Sequence, residues 1–212
     1  NALSSTPKPD ARAGDRKFTN DWKTLPDKIR ESFLSLFWSE ETGYLADYVT
    51  ENGIRNTFVR PNQVIACSLD YKMLDERQQI AVLDTIRRHL LTSRGLRTLS
   101  PQNPLYKGRY EGDQPTRDKA YHQGSVWVWP LEHYVKARFD LRGRNYLRNA
   151  EELLNGFNDD LSSYGIGSVA ELYDGDPPHT QRGAISQAWS VGAVLRIQEM
   201  IDKWKAEPTG YK

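Results

Sequence analysis

Apolar residues recur at helical spacing in four segments of the chain. In residues 22–38, Leu25, Ile29 and Phe33 lie four positions apart, so they share one face of a helix. The same kind of spacing is found in three further segments, residues 74–92, 144–157 and 184–204. A helix is also expected to begin near Ser125, just after Gly124. The pattern therefore predicts a chain built mainly from amphipathic helices.

Alternating apolar and polar residues, the mark of a half-buried strand, are scarce. The best candidate is the short segment 54–60, "IRNTFVR". The fold class predicted from these patterns is all-α, with about six helices in antiparallel pairs. In the helix expected after Ser125, Trp127 and Trp129 are two positions apart and should face different sides. Pro130 would either begin that helix or kink it.

Composition narrows the functional classes. The chain has 29 Lys and Arg against 28 Asp and Glu, which excludes an electrostatic binder of nucleic acid or of an anionic membrane. The single cysteine, Cys67, excludes an internal disulfide. No signal peptide is visible and no apolar run approaches the roughly 20 residues of a bilayer span, so a cytoplasmic protein is expected. Six Trp and eleven Tyr either fill a core or line a pocket for a ligand with apolar faces, such as a sugar.

The first residues, 1–15, are rich in Pro, Ser, Ala and charge, and are interpreted as a flexible tail. The first two, Asn1 and Ala2, are of the kind that an expression vector leaves. Residues 16–212 are expected to form the folded domain.

Two long connections, residues 94–124 and 162–183, carry aromatic and acidic residues. Long ordered loops of this kind are typical of an active-site mouth. Each polar group in them also has a purely structural interpretation. Arg117 and Asp118 could pair locally or cap a helix, and His122 could be a structural histidine. Glu171 could be a solvated turn residue, or a carboxylate in a semi-buried pocket whose pKa is raised by desolvation.

No cofactor is predicted from the residues. The four histidines lack the spacing of zinc ligands and there is only one cysteine, so a metal site is not expected. The glycines show no phosphate-cradling pattern, and nothing indicates an organic cofactor.

Four motifs carry a resemblance to a known family. They are "RPNQVIACSLD" at 60–70, "GLRTLSPQNPLYKGRYEGD" at 95–113, "RDKAYHQGSVWVW" at 117–129 and "AELYDGDPPHTQRGAISQAWS" at 170–190. Together they resemble the catalytic domain of glycogen debranching enzymes of the bacterial and archaeal amylo-α-1,6-glucosidase type, from about Phe33 to about Ile201. The resemblance implies a six-hairpin α/α toroid like that of glucoamylases. It also implies hydrolysis of α-1,6-linked glucosyl stubs in glycogen or limit dextrin, with inversion at the anomeric carbon.

The resemblance also implies roles for individual residues. Glu171, in the "ELYDG" motif, would be the general base that activates water. The residues implied to bind substrate are Arg60, Asn62, Arg117, Asp118, Tyr121, His122, Gln123, Trp127, Gln187 and Trp189.

The general acid of such enzymes is an Asp in an Arg-Asp motif near the start of the barrel, far upstream of the base. Asp118 follows Arg117 but lies in the later motif, so the acid role is not transferred to it. A complete barrel has twelve helices and about six are predicted here. The expectation is therefore the C-terminal half of a toroid, inactive alone because the acid lies outside the chain.

The partners expected are a branched α-glucan and either the missing N-terminal half or a second copy, packed on the open apolar edge. Neither nucleic acid nor membrane is expected as a partner. Two alternatives stay open. One is another α/α-toroid glycoside hydrolase, such as an α-glucosidase or a trehalase-like enzyme. The other is a non-catalytic helical module that binds glycans.

Overall fold

The structure is a computed structural model that describes Asn20 and residues 22–207. The predicted tail, residues 1–15, lies outside the described part. Seven α-helices occur within the described part, and two of them have eight residues or fewer. Their bounds are α1 Leu25–Phe37, α2 Gln63–Ser68, α3 Glu76–His89, α4 Gln114–Tyr121, α5 Trp129–Arg142, α6 Leu147–Asn155 and α7 Ala188–Ala206. Two 3₁₀ turns, Gly143–Tyr146 and Asp160–Ser162, follow α5 and α6.

The four helices predicted from apolar spacing are present as α1, α3, α6 and α7. Helix α3 begins with a capping box, in which Asp75 accepts from the backbone of Gln78 at 2.8 Å and Gln78 accepts in return at 3.0 Å. Helix α5 lies between α2 and α7, while α3 contacts both α2 and α5 and α6 packs on α7. Buried Leu131, Val135 and Ile197 belong to the core formed there.

The all-α prediction overlooked short strands. In the part of the chain that the structure describes, nine of them pair in three antiparallel sheets. They are β1 Trp38–Ser39, β2 Tyr44–Leu45, β3 Tyr48–Val49, β4 Arg55–Asn56, β5 Leu91–Thr92, β6 Gly95–Arg97, β7 Val126–Trp127, β8 Leu172–Tyr173 and β9 Gln181–Arg182. The segment 54–60, chosen as the best strand candidate, contains β4. A two-residue strand is too short to show alternation, which is why the sequence pattern missed the others.

The largest sheet joins the two long connections. Its order is β5-β6-β7-β8-β9, with Leu96 paired to Trp127 and Trp127 paired to Leu172. The helix expected from Ser125 therefore begins later than predicted, at Trp129, because Val126 and Trp127 are occupied by strand pairing. Pro130 lies in the first turn of α5, where its missing N–H leaves no helical hydrogen bond unmade.

None of the described helices has the length and apolar character needed to cross a bilayer.

Cys67 lies in α2 and is fully buried. Burial raises the pKa of its thiol to about 12, with Lys72 and Arg138 opposing the shift. Because the thiolate is the reactive form, we expect no reaction with a disulfide reagent such as Ellman's reagent at pH 8 in the native state. One equivalent should react once the chain is unfolded in guanidinium chloride. Rapid labelling of the native chain would contradict the burial of this side chain.

Candidate active site

A cavity of about 720 Å³ opens beside the largest sheet. It draws its walls from the segments around 47–62, from residues 121–130 and from the start of α7. Seven of the residues predicted to bind substrate line it: Arg60, Asn62, Tyr121, His122, Gln123, Trp127 and Trp189. Thr98 lines it as well, so all four sequence motifs contribute to one pocket.

Arg60 holds the floor of this pocket together. Its guanidinium donates to the carbonyl oxygens of Thr98 at 3.0 Å and His122 at 2.6 Å, and to the side-chain oxygen of Gln123 at 2.8 Å. Its Nε lies 3.4 Å from a carboxylate oxygen of Asp47. Because each guanidinium nitrogen already has a protein partner, Arg60 serves mainly to position the pocket wall.

Asp47 is a pocket residue that sequence reasoning missed. It lies between β2 and β3, and its side chain is 12% exposed. One carboxylate oxygen accepts from the amide of Asn62 at 2.8 Å, while the other faces Arg60. The signal available in the sequence was a single acid between the apolar pairs of "LADYV". Asp47 therefore holds Asn62 through a hydrogen bond and Arg60 through an ion pair.

The aromatic wall differs from the prediction. Trp127 and Trp129 line the same pocket, because Trp127 belongs to β7 and only Trp129 belongs to a helix. The indole of Trp129 is stacked with that of Trp189, with ring centres 6.2 Å apart. Trp127 meets Trp189 edge to face at 6.1 Å. Trp127 is 4% exposed and Trp189 is 55% exposed, so Trp189 offers a free aromatic face to a ligand.

Glu171 is joined to the pocket through Tyr121. The phenol of Tyr121 donates to one oxygen of Glu171 at 2.6 Å, and the backbone N–H of Ala184 donates to the other at 2.8 Å. Burial, followed by the Glu171 carboxylate, raises the pKa of Tyr121, so the phenol stays protonated as a donor. Each oxygen of Glu171 retains a second lone pair, which can accept from water. The carboxylate is thus half-buried, oriented by two donors and still able to take a proton.

Three predicted substrate-binding residues lie outside the lining of this pocket. Arg117 donates to the carbonyl of Gly112 at 3.0 Å and to the side chain of Gln114 at 2.9 Å. Asp118 accepts from Gln114 at 2.6 Å. These contacts are all local, so Arg117 and Asp118 stabilise the beginning of α4. Gln187 stands at the N-cap position of α7, and its backbone N–H bonds Val169 at 3.2 Å.

The fully buried carboxylate of Asp174 ties the two long connections together. It accepts from the backbone N–H of Tyr110 at 2.8 Å and forms an ion pair with Arg182 at 2.9 Å. Arg109 lies 3.6 Å from it. In the same two segments, the hydroxyl of Tyr106 donates to the carboxylate of Asp176 at 3.0 Å. The loop at 106–110 is therefore fixed against β9 and the segment after β8, and Glu171 directly precedes β8.

Within Asn20 and residues 22–207, no group of three or more His, Cys, Asp or Glu side chains is arranged to bind an ion.

Comparison with known proteins gives this arrangement a family. The profile described as Amylo-alpha-1,6-glucosidase matches residues 2–196. The chain belongs to the amylo-alpha-1,6-glucosidase family. A glycogen debranching enzyme from Saccharomyces cerevisiae is 24% identical to it over an alignment of 169 residues. The match covers 70% of this chain. The chain spans 11% of the length of that curated relative.

The fold has a relative of known structure. Neutral trehalase from Saccharomyces cerevisiae superposes with a TM-score of 0.64 at 16% identity, over 86% of this chain and 31% of the trehalase chain. At this identity the likeness concerns the fold. A member of the amylo-alpha-1,6-glucosidase family therefore shares the helical scaffold of neutral trehalase.

Proposed function

We propose that this chain is the part of a glycogen debranching enzyme that carries the general base and part of the glucose pocket. The reaction is hydrolysis of an α-1,6-linked glucosyl stub on a branched α-glucan. The observation that carries the proposal is the hydrogen bond to the carboxylate of Glu171 from Tyr121, which lines the aromatic pocket, while Glu171 itself lies behind that lining. The family match over residues 2–196 supports the choice of substrate.

In the proposed mechanism, Glu171 removes a proton from a water molecule as that water attacks the anomeric carbon. Tyr121 and the N–H of Ala184 orient the carboxylate, which favours attack from one side only. Trp189 stacks against an apolar face of the sugar. Attack by water without a covalent intermediate inverts the anomeric configuration.

The general acid is proposed to come from outside the chain. Asp47 provides a carboxylate in the pocket lining, but one of its oxygens accepts from Asn62 and the other is paired with Arg60. It is therefore a poor candidate for giving a proton to the leaving oxygen. The yeast relative is much longer than this chain. A segment that corresponds to its additional part would supply the general acid.

The proposed assembly is a six-hairpin toroid of which this chain forms about half. Two helices carry apolar side chains that lack cover: Ile29 and Leu36 on α1 are 42% and 47% exposed, and Leu195 on α7 is 64% exposed. The remaining half of the toroid would cover these side chains, and a second copy of the chain is the alternative occupant.

The proposed function is tested by substrate choice. The full-length protein is incubated with limit dextrin carrying single α-1,6 glucosyl stubs, with maltose and with trehalose, and glucose release is followed. We expect limit dextrin to be preferred by about two orders of magnitude and the first product to be β-glucose, seen by proton NMR. The 212-residue chain alone should release no glucose.

A trehalase-like hydrolase is the second candidate, because neutral trehalase shares the fold. Faster release from trehalose than from limit dextrin would assign that function instead. No release from any of the three sugars, with retained binding of the glucan, would leave a glycan-binding module.

Gly183 lies against Glu171 and provides a sharper test of the base. Its φ is +70°, and an added Cβ would lie 2.5 Å from a carboxylate oxygen of Glu171. We expect Gly183→Ala in the full-length protein to lower turnover more than about tenfold, because the carboxylate must shift. The matched control is Gly167→Ala, whose φ is +73° and whose Cβ would meet nothing within 4 Å. Both variants should lose about 1–2 kcal/mol of stability from the backbone strain, measured by urea unfolding. Equal turnover in the two would exclude this placement of Glu171.

A further inference from the structure

A second cleft, of about 700 Å³, lies between α3 and α6 with α5 beneath it. It shares no lining residue with the candidate active site. Its polar groups come from three helices and the turn between two of them: Arg87 of α3, Arg138 and Arg142 of α5, Asn145 of the 3₁₀ turn and Asn149 of α6. None of these five residues has a part in the proposed hydrolysis.

Arg138 lies at the base of the cleft, and its side chain is 8% exposed. Its Nη2 donates to Asp84 at 2.8 Å and its Nε to the hydroxyl of Tyr134 at 3.2 Å. Its Nη1 has no protein acceptor within the described part. This nitrogen is not fully buried, so it remains accessible from the cleft. A buried guanidinium whose Nη1 amino group has no protein acceptor is a preformed donor for an anionic ligand.

The rim of the cleft adds unpaired positive charge. Arg87 and Arg142 are exposed, and among residues 22–207 neither has a carboxylate within ion-pair distance. The two carboxylates that line the cleft are both engaged, Asp84 with Arg138 and Glu152 with Arg148 at 3.0 Å. The cleft is therefore rich in donors and carries an excess of cations that no group within residues 22–207 neutralises.

The chemistry of these groups selects the ligand. Guanidinium groups match phosphate oxygens in geometry and charge. The side-chain amides of Asn145 and Asn149 are exposed and can bond hydroxyl groups. Tyr134 and Tyr146 also line the cleft, where Tyr134 is 1% exposed and Tyr146 is partly buried. A volume of about 700 Å³ is far larger than inorganic phosphate and typical of a small-molecule site.

We propose that this cleft binds a phosphate monoester of a small hydroxylated molecule. Arg87, Arg138 and Arg142 contact the phosphate, while Asn145 and Asn149 contact the hydroxyl groups. A hexose phosphate and a nucleoside monophosphate share this chemistry.

The proposal is tested by isothermal titration calorimetry on the 212-residue chain at low salt. The probes are glucose 6-phosphate, adenosine 5′-monophosphate, inorganic phosphate and glucose. We expect one of the two esters to bind at least about tenfold more tightly than either inorganic phosphate or glucose. The ester that binds more tightly identifies the source of the phosphate.

Two variants assign the binding to this cleft. Arg142→Ala and Arg87→Ala remove exposed side chains, so the fold should be retained, and each should weaken ester binding about tenfold or more. The control is Arg196→Ala, which removes an exposed arginine of α7 that is paired to Glu199 outside the cleft. It should bind the ester unchanged. Absence of ester binding, equal affinity for ester and inorganic phosphate, or unchanged binding in both cleft variants would each overturn the proposal.

Discussion

Glu171→Gln in the full-length protein should reduce glucose release from limit dextrin by at least three orders of magnitude while leaving glucan affinity within about threefold of wild type. The change keeps the shape of the side chain but removes its ability to take a proton from water. The amide oxygen can still accept from the N–H of Ala184, and its NH₂ can donate to the hydroxyl of Tyr121, so the local structure is retained. Turnover is measured from initial rates of glucose release, and affinity by calorimetry.

The control is Glu111→Gln, the same chemical change at a side chain that is 63% exposed and paired only loosely to Arg182 at 3.4 Å. It should leave turnover within about twofold of wild type. Unchanged turnover in Glu171→Gln would remove Glu171 from the role of base. A loss of binding that equals the loss of turnover would indicate a role in holding substrate instead.

Asp174→Ala should lower the free energy of unfolding by about 3–5 kcal/mol, the range found when one partner of a buried ion pair is removed. The substitution leaves Arg182 without its 2.9 Å partner and leaves the N–H of Tyr110 without an acceptor. For a chain of this size the midpoint of thermal unfolding should fall by about 10 °C. Scanning calorimetry and urea unfolding measure the two quantities.

Two further variants calibrate this result. Asp174→Asn keeps an oxygen for the N–H of Tyr110 and should be less destabilising than the alanine variant. Glu199→Ala breaks an exposed ion pair with Arg196 and should change stability by no more than about 0.5 kcal/mol. If Asp174→Ala cost less than about 1 kcal/mol, the proposed link between the two long connections would be wrong.

The long helices were predictable because their cause is local. The stripe of apolar residues in 74–92 and the cap at Asp75 are features of neighbouring positions, and the structure has α3 there. The convergence of the motifs at 60–70 and 117–129 on one pocket also followed from the sequence, through a resemblance that spans most of the chain.

The short strands and the place of Asp47 could not be predicted, because they depend on contacts between residues that are far apart in the sequence. Strands of two residues such as β7 form only because β6 and β8 lie alongside, so neither their existence nor the later start of α5 was visible locally. The same holds for Asp47, whose place in the pocket depends on its contacts with Arg60 and Asn62.

The sequence by itself determined the helical scaffold, the family and the identity of the base proposed for it, since these rest on periodicity and on motifs that are continuous along the chain. The tertiary structure alone decided which polar residues face the pocket: Tyr121 reaches Glu171, while Arg117, four residues earlier on the same helix, bonds back to Gly112. Residues on one short helix have different partners because the packing of separate segments, which periodicity does not encode, sets the space that each side chain can reach.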